Sequence, residues 1–190
     1  MFEIITIQKI FDKVVYNNSK ICNKEFEECT FTNCDFSNSD FSNSTFMDCK
    51  FINCNLSMVQ LHATGLKSVS FVNCKLLGIH FHHCTDFLFA VDFQDCILDY
   101  SAFANKKMPK TRFVNSSLKE VNFIGANLTQ SLFDGSNLEA AIFNETQLGG
   151  ADFRSANNYK IDPEYNPMTK AKFSTQGIEG LLDKYDIKIE

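Results

Sequence analysis

Apolar residues recur at every fifth position over most of this chain, and this pattern strongly limits the folds open to it. The first run begins at Ile21 and ends at Phe81, and after a shift of two residues a second run extends from Leu88 to Phe153. The runs contain 27 positions, none of them polar, and hold 15 of the 20 phenylalanines. A period of five fits neither an amphipathic helix nor a half-buried strand. A short fixed period of this extent predicts a solenoid.

The neighbours of each repeat residue follow a pattern of their own. The residue two positions earlier is mostly small or a thiol, as at Cys34, Ser39, Ser116 and Ala126. We therefore expect both positions to point inward, one with a large side chain and one with a small one. The other three positions are polar and rich in Asn and Asp, which tolerate tight turns and left-handed backbone. Each unit is thus predicted to be a short extended segment followed by a corner.

Three segments show the repeat most clearly: CDFSN at 34–38, GANLT at 125–129 and GADFR at 150–154. They resemble the pentapeptide repeat family, whose motif is roughly A(D/N)LXX, and the resemblance covers about residues 19–175. It implies an all-β fold, a right-handed quadrilateral β-helix in which four pentapeptides make one coil of 20 residues. Residues twenty apart are then direct neighbours at the usual inter-strand spacing of about 4.8 Å.

The pattern divides the chain into three parts. Residues 1–18 have a strand-like alternation and are predicted to form an N-terminal cap, because the open ends of a solenoid core must be covered. Residues 19–175 are predicted to form the β-helix, with a two-residue register break near 82–87. Residues 174–190 are predicted to form a short C-terminal helix and a tail, with Ser174 as the helix N-cap.

The cysteine usage indicates buried free thiols. Most of the eight cysteines fall at the small inward position, where Ser and Ala alternate with them. Packing is therefore the expected role, in a reducing cytoplasm. The sequence contains no apolar run long enough for a membrane span and no signal-peptide pattern, so cytoplasmic localisation without a membrane is expected.

No catalytic motif is present in the sequence. It contains no GxSxG, no Gly-rich phosphate loop and no HExxH, so we predict a protein without enzymatic activity and without a cofactor. Histidines cluster at the register break, where His62 and His82 are expected to stack near Cys84 and could bind a transition metal. The favoured interpretation is a surface bulge, and no metal site is predicted.

The charge distribution predicts that acidic side chains are concentrated on one side of the rod. The net charge of −5 disfavours direct nucleic-acid binding. Residues 81–153 contain nine acidic side chains and five basic ones. Folding this run onto four faces predicts an uncharged third face, at 101–105 and 121–125, and a fourth face with Lys106, Lys107 and Lys110. The other two faces form an acidic edge made of Asp92, Asp95, Asp99, Asp134, Glu139 and Asp152.

The C-terminal sequence resembles one group within the pentapeptide repeat family. The stretch AKFSTQGIEGLLDKYDIKI, preceded by NNYKIDPEYNP, is similar to the C-terminal segment of Qnr-type quinolone-resistance proteins. In those proteins this segment pairs two rods tail to tail. The resemblance therefore implies a homodimer, and the alternative is that the segment only caps one rod. The implied contact residues are Ile178, Leu181, Leu182, Tyr185, Ile187 and Ile189.

The same resemblance implies a function. Qnr-type proteins and their relatives act on DNA gyrase or topoisomerase IV as DNA mimics, and some protect the enzyme from quinolones. The acidic edge would supply the contacts here. This chain lacks the long loops of many Qnr proteins, which leaves a second hypothesis open. In that hypothesis the rod is a general protein–protein interaction scaffold with an unknown partner, which docks on the uncharged face beside Tyr100.

Overall fold

The computed structural model describes residues 4–188 as a parallel β-solenoid with one short C-terminal helix, as the repeat pattern predicted. Its strands are each two to four residues long and form two parallel sheets, ordered β1-β3-β5-β7 and β2-β4-β6-β8-β9-β10. The strands are β1 (Ile5–Ile7), β2 (Ile10–Asp12), β3 (Glu25–Glu27), β4 (Thr30–Thr32), β5 (Thr45–Met47), β6 (Lys50–Ile52), β7 (Gly65–Lys67), β8 (Val69–Val72), β9 (Val91–Gln94) and β10 (Phe113–Val114). The α-helix, α1, is Glu179–Leu182, and 3-10 turns occupy Phe81–His83, Thr175–Gly177 and Asp183–Tyr185.

The register is the predicted one. Phe31 pairs with Phe51, twenty residues later, and isolated parallel bridges continue this spacing as far as Asp152 and Lys172. Strands β1 and β2 pair with residues 25–27 and 30–32 in the same register. The described part of the segment that we predicted as an N-terminal cap therefore has the geometry of a coil.

Stacked phenylalanines form the longest continuous feature of the core. Nine rings follow one another along one column, with centroid separations of 4.6 to 5.3 Å. Aromatic pairs at such distances add stability beyond the burial of their area. The column consists of Phe11, Phe31, Phe51, Phe71, Phe93, Phe113, Phe133, Phe153 and Phe173.

The corners of the coil explain the polar positions of the repeat. The residue two positions after the repeat residue has a positive φ at nearly every unit, for example 55° at Asn33 and Asn53. Asn adopts this conformation at less cost than most residues. Its side chain also links successive coils, because Asn73 Nδ2 donates to Asn53 Oδ1 at 2.8 Å and Asn53 Nδ2 donates to Asn33 Oδ1 at 3.2 Å.

The register break lies between Thr85 and Ala90. Thr85 N–H still donates to Thr64 O in the register of the first run, whereas Val69 N–H donates to Ala90 O in that of the second. The prediction that Leu88 is a buried repeat residue is wrong. Leu88 is 62% exposed, with a φ of 57°, and Phe89 takes the inward place at 7% exposure. The two additional residues are accommodated by a turn, which rotates Leu88 outward.

The thiols lie inside the tube as the repeat pattern predicted. All eight cysteines are free and seven are buried, the exception being the half-exposed Cys22. They link successive coils weakly: Cys34 N–H donates to Cys54 Sγ, and Cys54 N–H donates to Cys74 Sγ, each at 3.4 Å. Burial raises the pKa of Cys49 to about 12, so this thiol stays protonated. Across residues 4–188, every helix is too short and too polar to cross a membrane.

Candidate protein-binding surfaces

Part of the predicted acidic edge is neutralised by neighbouring cations. Asp99, Lys119 and Glu139 occupy one position of successive coils, and Lys119 Nζ lies 2.6 Å from Glu139 Oε2. The Asp152 side chain is 17% exposed and accepts three hydrogen bonds from the Arg154 guanidinium, at 2.8 to 3.2 Å. The bonds from Arg154 lower the pKa of Asp152. Glu139 and Asp152 therefore add little to the negative potential of the edge.

The other four acidic residues form no ion pair between residues 4 and 188. None of them lies within ion-pair distance of a lysine or arginine in the described part of the chain. Neutral donors hold most of them in place, because Asp92 accepts from Arg112 N–H at 2.8 Å and Asp99 accepts from Ser117 Oγ at 2.6 Å. The four carboxylates without an ion pair, named the open acidic patch below, are Asp92, Asp95, Asp99 and Asp134.

Lys106 was predicted on the fourth face of the surface, and this prediction is wrong. The side chain is 2% exposed, and its Nζ donates to Cys84 O at 2.5 Å and to Asp86 Oδ1 at 2.7 Å. It also lies 4.7 Å from the centroid of the Phe89 ring. Lys106 is two residues before Met108, at the small inward position, where it is the single charged residue between 91 and 151. That position was the sequence signal for its burial.

Because Lys106 anchors the loop at the register break, two apolar side chains of this loop project from the surface of the rod. Lys106 and the buried Phe89 hold the loop at the register break from below, while Phe87 and Leu88 are 71% and 62% exposed. Lys67 Nζ lies 5.4 Å from the centroid of the Phe87 ring. The rod therefore has one apolar protrusion in addition to its flat faces.

The histidine ring contacts differ from the predicted ones. The His62 ring contacts that of His83, at a centroid distance of 6.2 Å, rather than that of His82. Cys84 is buried, and burial raises the pKa of its thiol to about 12, so it is not available as a ligand. Between residues 4 and 188, no three His, Cys, Asp or Glu side chains are already arranged around a common metal position.

The C-terminal tail folds back on the last coils. Leu181 packs against the core, and Ile161 N–H donates to Gly180 O at 2.8 Å. Ser174 caps the first turn, as predicted, because its side chain accepts from Gly177 N–H. Lys184 Nζ lies 2.8 Å from Asp162 Oδ1 and binds Glu164 as well.

The residues predicted to contact a second rod fall into two groups. Leu181 and Leu182 are half-buried, whereas Ile178, Tyr185 and Ile187 are 42%, 52% and 57% exposed. Ile189, the sixth of them, lies outside the described residues. The tail thus covers the core with one side and presents an apolar patch on the other.

The attachment of the tail depends on a glycine. A Cβ at Gly180 would lie 2.1 Å from Tyr159 O, a contact with backbone that cannot relax cheaply. We expect Gly180→Ala to detach the tail, which will be seen as faster hydrogen exchange and proteolysis of residues 174–188. Gly149→Ala is the matched control, since its Cβ would meet nothing closer than 3.8 Å. Equal protection of the tail in both variants would contradict this account.

Comparison with known proteins agrees with the fold. Two family models match the chain, "Pentapeptide repeat region" over residues 24–103 and "Pentapeptide repeats (8 copies)" over 96–135 and 122–157. Together they span 24–157, and the chain belongs to the pentapeptide repeat family. Proteins of this family are generally non-enzymatic structural or interaction proteins. A search of curated proteins found no match.

Two of the solved structures that resemble this chain come from proteins whose descriptions name different biological roles. A trypsin-treated variant of QnrB1, a plasmid-mediated fluoroquinolone resistance protein, has a TM-score of 0.63 at 17% identity and covers 98% of this chain and 97% of its own. HetL from Nostoc sp. strain PCC 7120, a protein involved in heterocyst differentiation regulation, has a TM-score of 0.72 at 12% identity and covers 90% and 88%. At these identities the likeness shows the fold alone.

Proposed function

We propose that this protein is a non-enzymatic rod that binds the DNA-binding groove of a type II topoisomerase, DNA gyrase or topoisomerase IV, by mimicking DNA. The observation that supports this most directly is the open acidic patch. Its carboxylates form no ion pair in the described part of the chain, and neutral donors fix most of them on a rigid solenoid. A preorganised charged surface binds a basic groove without the entropic cost of ordering side chains.

The magnitude of the charge sets the expected affinity. Three carboxylates of the patch, Asp92, Asp95 and Asp99, lie on one coil, and Asp134 lies two coils further, roughly 10 Å along the rod. Duplex DNA has about six phosphate charges over the same length. The patch therefore has fewer charges than DNA, and we expect moderate, salt-sensitive binding that also relies on shape. The likeness to QnrB1, whose description includes fluoroquinolone resistance, favours this class of partner.

We also propose that the rod acts as a tail-to-tail homodimer. The exposed residues Ile178, Tyr185 and Ile187 give the tail an apolar patch beyond what covering the core requires. Pairing two tails would bury it and double the length of the rod. Light scattering should then report about twice the 21.6 kDa of one chain.

A general interaction scaffold is the second candidate, and the uncharged face supports it. Ala102, Asn122 and Ile142 occupy one position of successive coils on this face, and Ile142 is 47% exposed. Tyr100, at its edge, is 61% exposed. The likeness to HetL, whose description concerns a different process, illustrates that this fold does not select one partner.

A supercoiling assay tests the proposal. The purified protein is expected to inhibit DNA gyrase, or to protect it from ciprofloxacin, at micromolar concentration. The double variant Asp95→Asn with Asp134→Asn removes two carboxylates that form no ion pair and should lose most of the effect. The double variant Lys119→Gln with Glu139→Gln is the matched control, because it removes a carboxylate together with its paired ammonium and leaves the net charge of the edge unchanged. Unchanged supercoiling and unchanged drug response with the wild-type protein would reject the topoisomerase and favour the scaffold.

A further inference from the structure

All four histidines of the chain form one cluster at the surface. The ring centroids of His82 and His83 are 4.1 Å apart, and that of His80 lies 5.3 and 5.6 Å from them. His62 joins from the preceding coil through His83, at 6.2 Å. A random distribution of four histidines over a rod of this length would not produce such a group, and the proposed topoisomerase binding does not use it.

The register of the coil explains how the cluster forms. His80 and His82 occupy the two outward positions on either side of the buried Phe81. The 3-10 turn at Phe81–His83, just before the register break, then brings His83 beside them, and Ala63 N–H donates to His83 O at 2.9 Å. The next coil presents Ala102 opposite His80, a small side chain that leaves space in front of the rings. The backbone of the cluster is thus fixed while His62, His80 and His83 remain exposed.

The spacing of these rings suits metal coordination. Imidazole nitrogen binds Zn²⁺ at about 2.0–2.1 Å, which places the ring centroids of a tetrahedral three-histidine site about 5 Å apart. The centroids of His80, His82 and His83, at 4.1 to 5.6 Å, already have this separation. What the structure lacks is convergence of the nitrogens, and rotation of the exposed His80 and His83 rings about their side-chain bonds toward the half-buried His82 would be needed to supply it. We propose that these three residues, with His62 as a fourth ligand, bind a divalent transition-metal ion such as Zn²⁺, Ni²⁺ or Cu²⁺.

The hydrogen bonding of the cluster favours the same conclusion. His82 Nδ1 is buried and has no hydrogen-bond partner. The charge of Lys106, on the next coil, is balanced by Asp86 at 2.7 Å. A metal ion would give the unpartnered nitrogen its missing interaction.

Calorimetric titration with NiCl2 and ZnCl2 tests the proposal, together with the visible absorption of the Cu²⁺ form. Because every histidine is in the cluster, any imidazole coordination reports on it. We expect one ion per chain, affinity at least about tenfold weaker in His80→Asn and in His83→Asn, and loss of binding near pH 5.5, where imidazoles are protonated. Cys22→Ser is the matched control, since it removes the half-exposed thiol and should leave binding unchanged.

Two outcomes would overturn the inference. One is the absence of saturable binding of all three metals by the full chain. The other is binding that persists in the histidine variants or disappears in Cys22→Ser, which would assign it to thiols or carboxylates. Circular dichroism of each variant checks that the solenoid is intact, and because these substitutions are at outward or corner positions, folding should not be affected. Neither outcome depends on whether the protein acts on a topoisomerase.

Discussion

Phe113→Ala is expected to lower the free energy of unfolding by about 4 kcal/mol, the largest effect of any single substitution considered. Phe113 is 0% exposed and stacks between Phe93 and Phe133, at centroid distances of 5.3 and 5.1 Å. It also makes edge contacts with Phe103 and Phe123. The substitution therefore removes both the burial of one ring and four aromatic contacts.

A solenoid amplifies this loss, because each coil is stabilised mainly by its two neighbours. Urea unfolding followed by circular dichroism will give the change, and the weakened coupling should broaden the transition or split it in two. Phe87→Ala is the matched control: this ring is 71% exposed, and its removal should change stability by less than about 0.5 kcal/mol. Similar losses in the two variants would contradict the role assigned to the phenylalanine column.

Lys106→Ala is expected to cost about 3 kcal/mol and to release the loop at the register break. The substitution leaves Cys84 O without its donor, removes the cation from Asp86 and the face of Phe89, and empties the space filled by the side-chain stem. Asp86 is 77% exposed and can return to water, so the lost packing and the lost bond to Cys84 O make up most of the cost.

Thermal unfolding measures the change in stability, and hydrogen exchange of residues 84–90 reports the release of the loop. Lys106→Met retains the apolar stem and should recover about half of the loss. Lys107→Ala, the exposed neighbour, should have almost no effect. If all three variants are as stable as the wild type, Lys106 does not anchor the loop.

The repeat allowed the fold to be predicted down to the individual side chains that point into the core. The period of five predicted a large and a small inward residue in each unit. The resemblance to the pentapeptide repeat family implied a coil of 20 residues, and the two together predicted that phenylalanines 20 residues apart would stack. Prediction was weakest where that spacing is broken. Leu88 satisfied the apolar pattern, but the two additional residues form a turn there, and a turn rotates side chains in a way that periodicity does not describe.

The candidate surfaces were less predictable, because charge compensation depends on how flexible side chains pair. The register correctly aligned Asp99, Lys119 and Glu139, but the sequence could not show that Lys119 would pair with Glu139 rather than with Asp99. Lys106 was misplaced for a different reason. A lysine is assumed to be exposed, although its position in the repeat was an inward one. The histidine cluster depends on the 3-10 turn at Phe81–His83, just before the break, which has no counterpart in the repeat.

Direct competition with DNA tests most closely whether the open acidic patch mimics DNA. A fluorescent duplex bound to DNA gyrase is titrated with the protein, and release of the duplex is followed by anisotropy. DNA mimicry predicts displacement by the wild-type protein that weakens as salt concentration rises, is retained in the double variant Lys119→Gln with Glu139→Gln, and is largely lost in Asp95→Asn with Asp134→Asn. If the duplex stays bound at the highest soluble protein concentration, or if the double variant displaces it equally well, the open acidic patch does not mimic DNA.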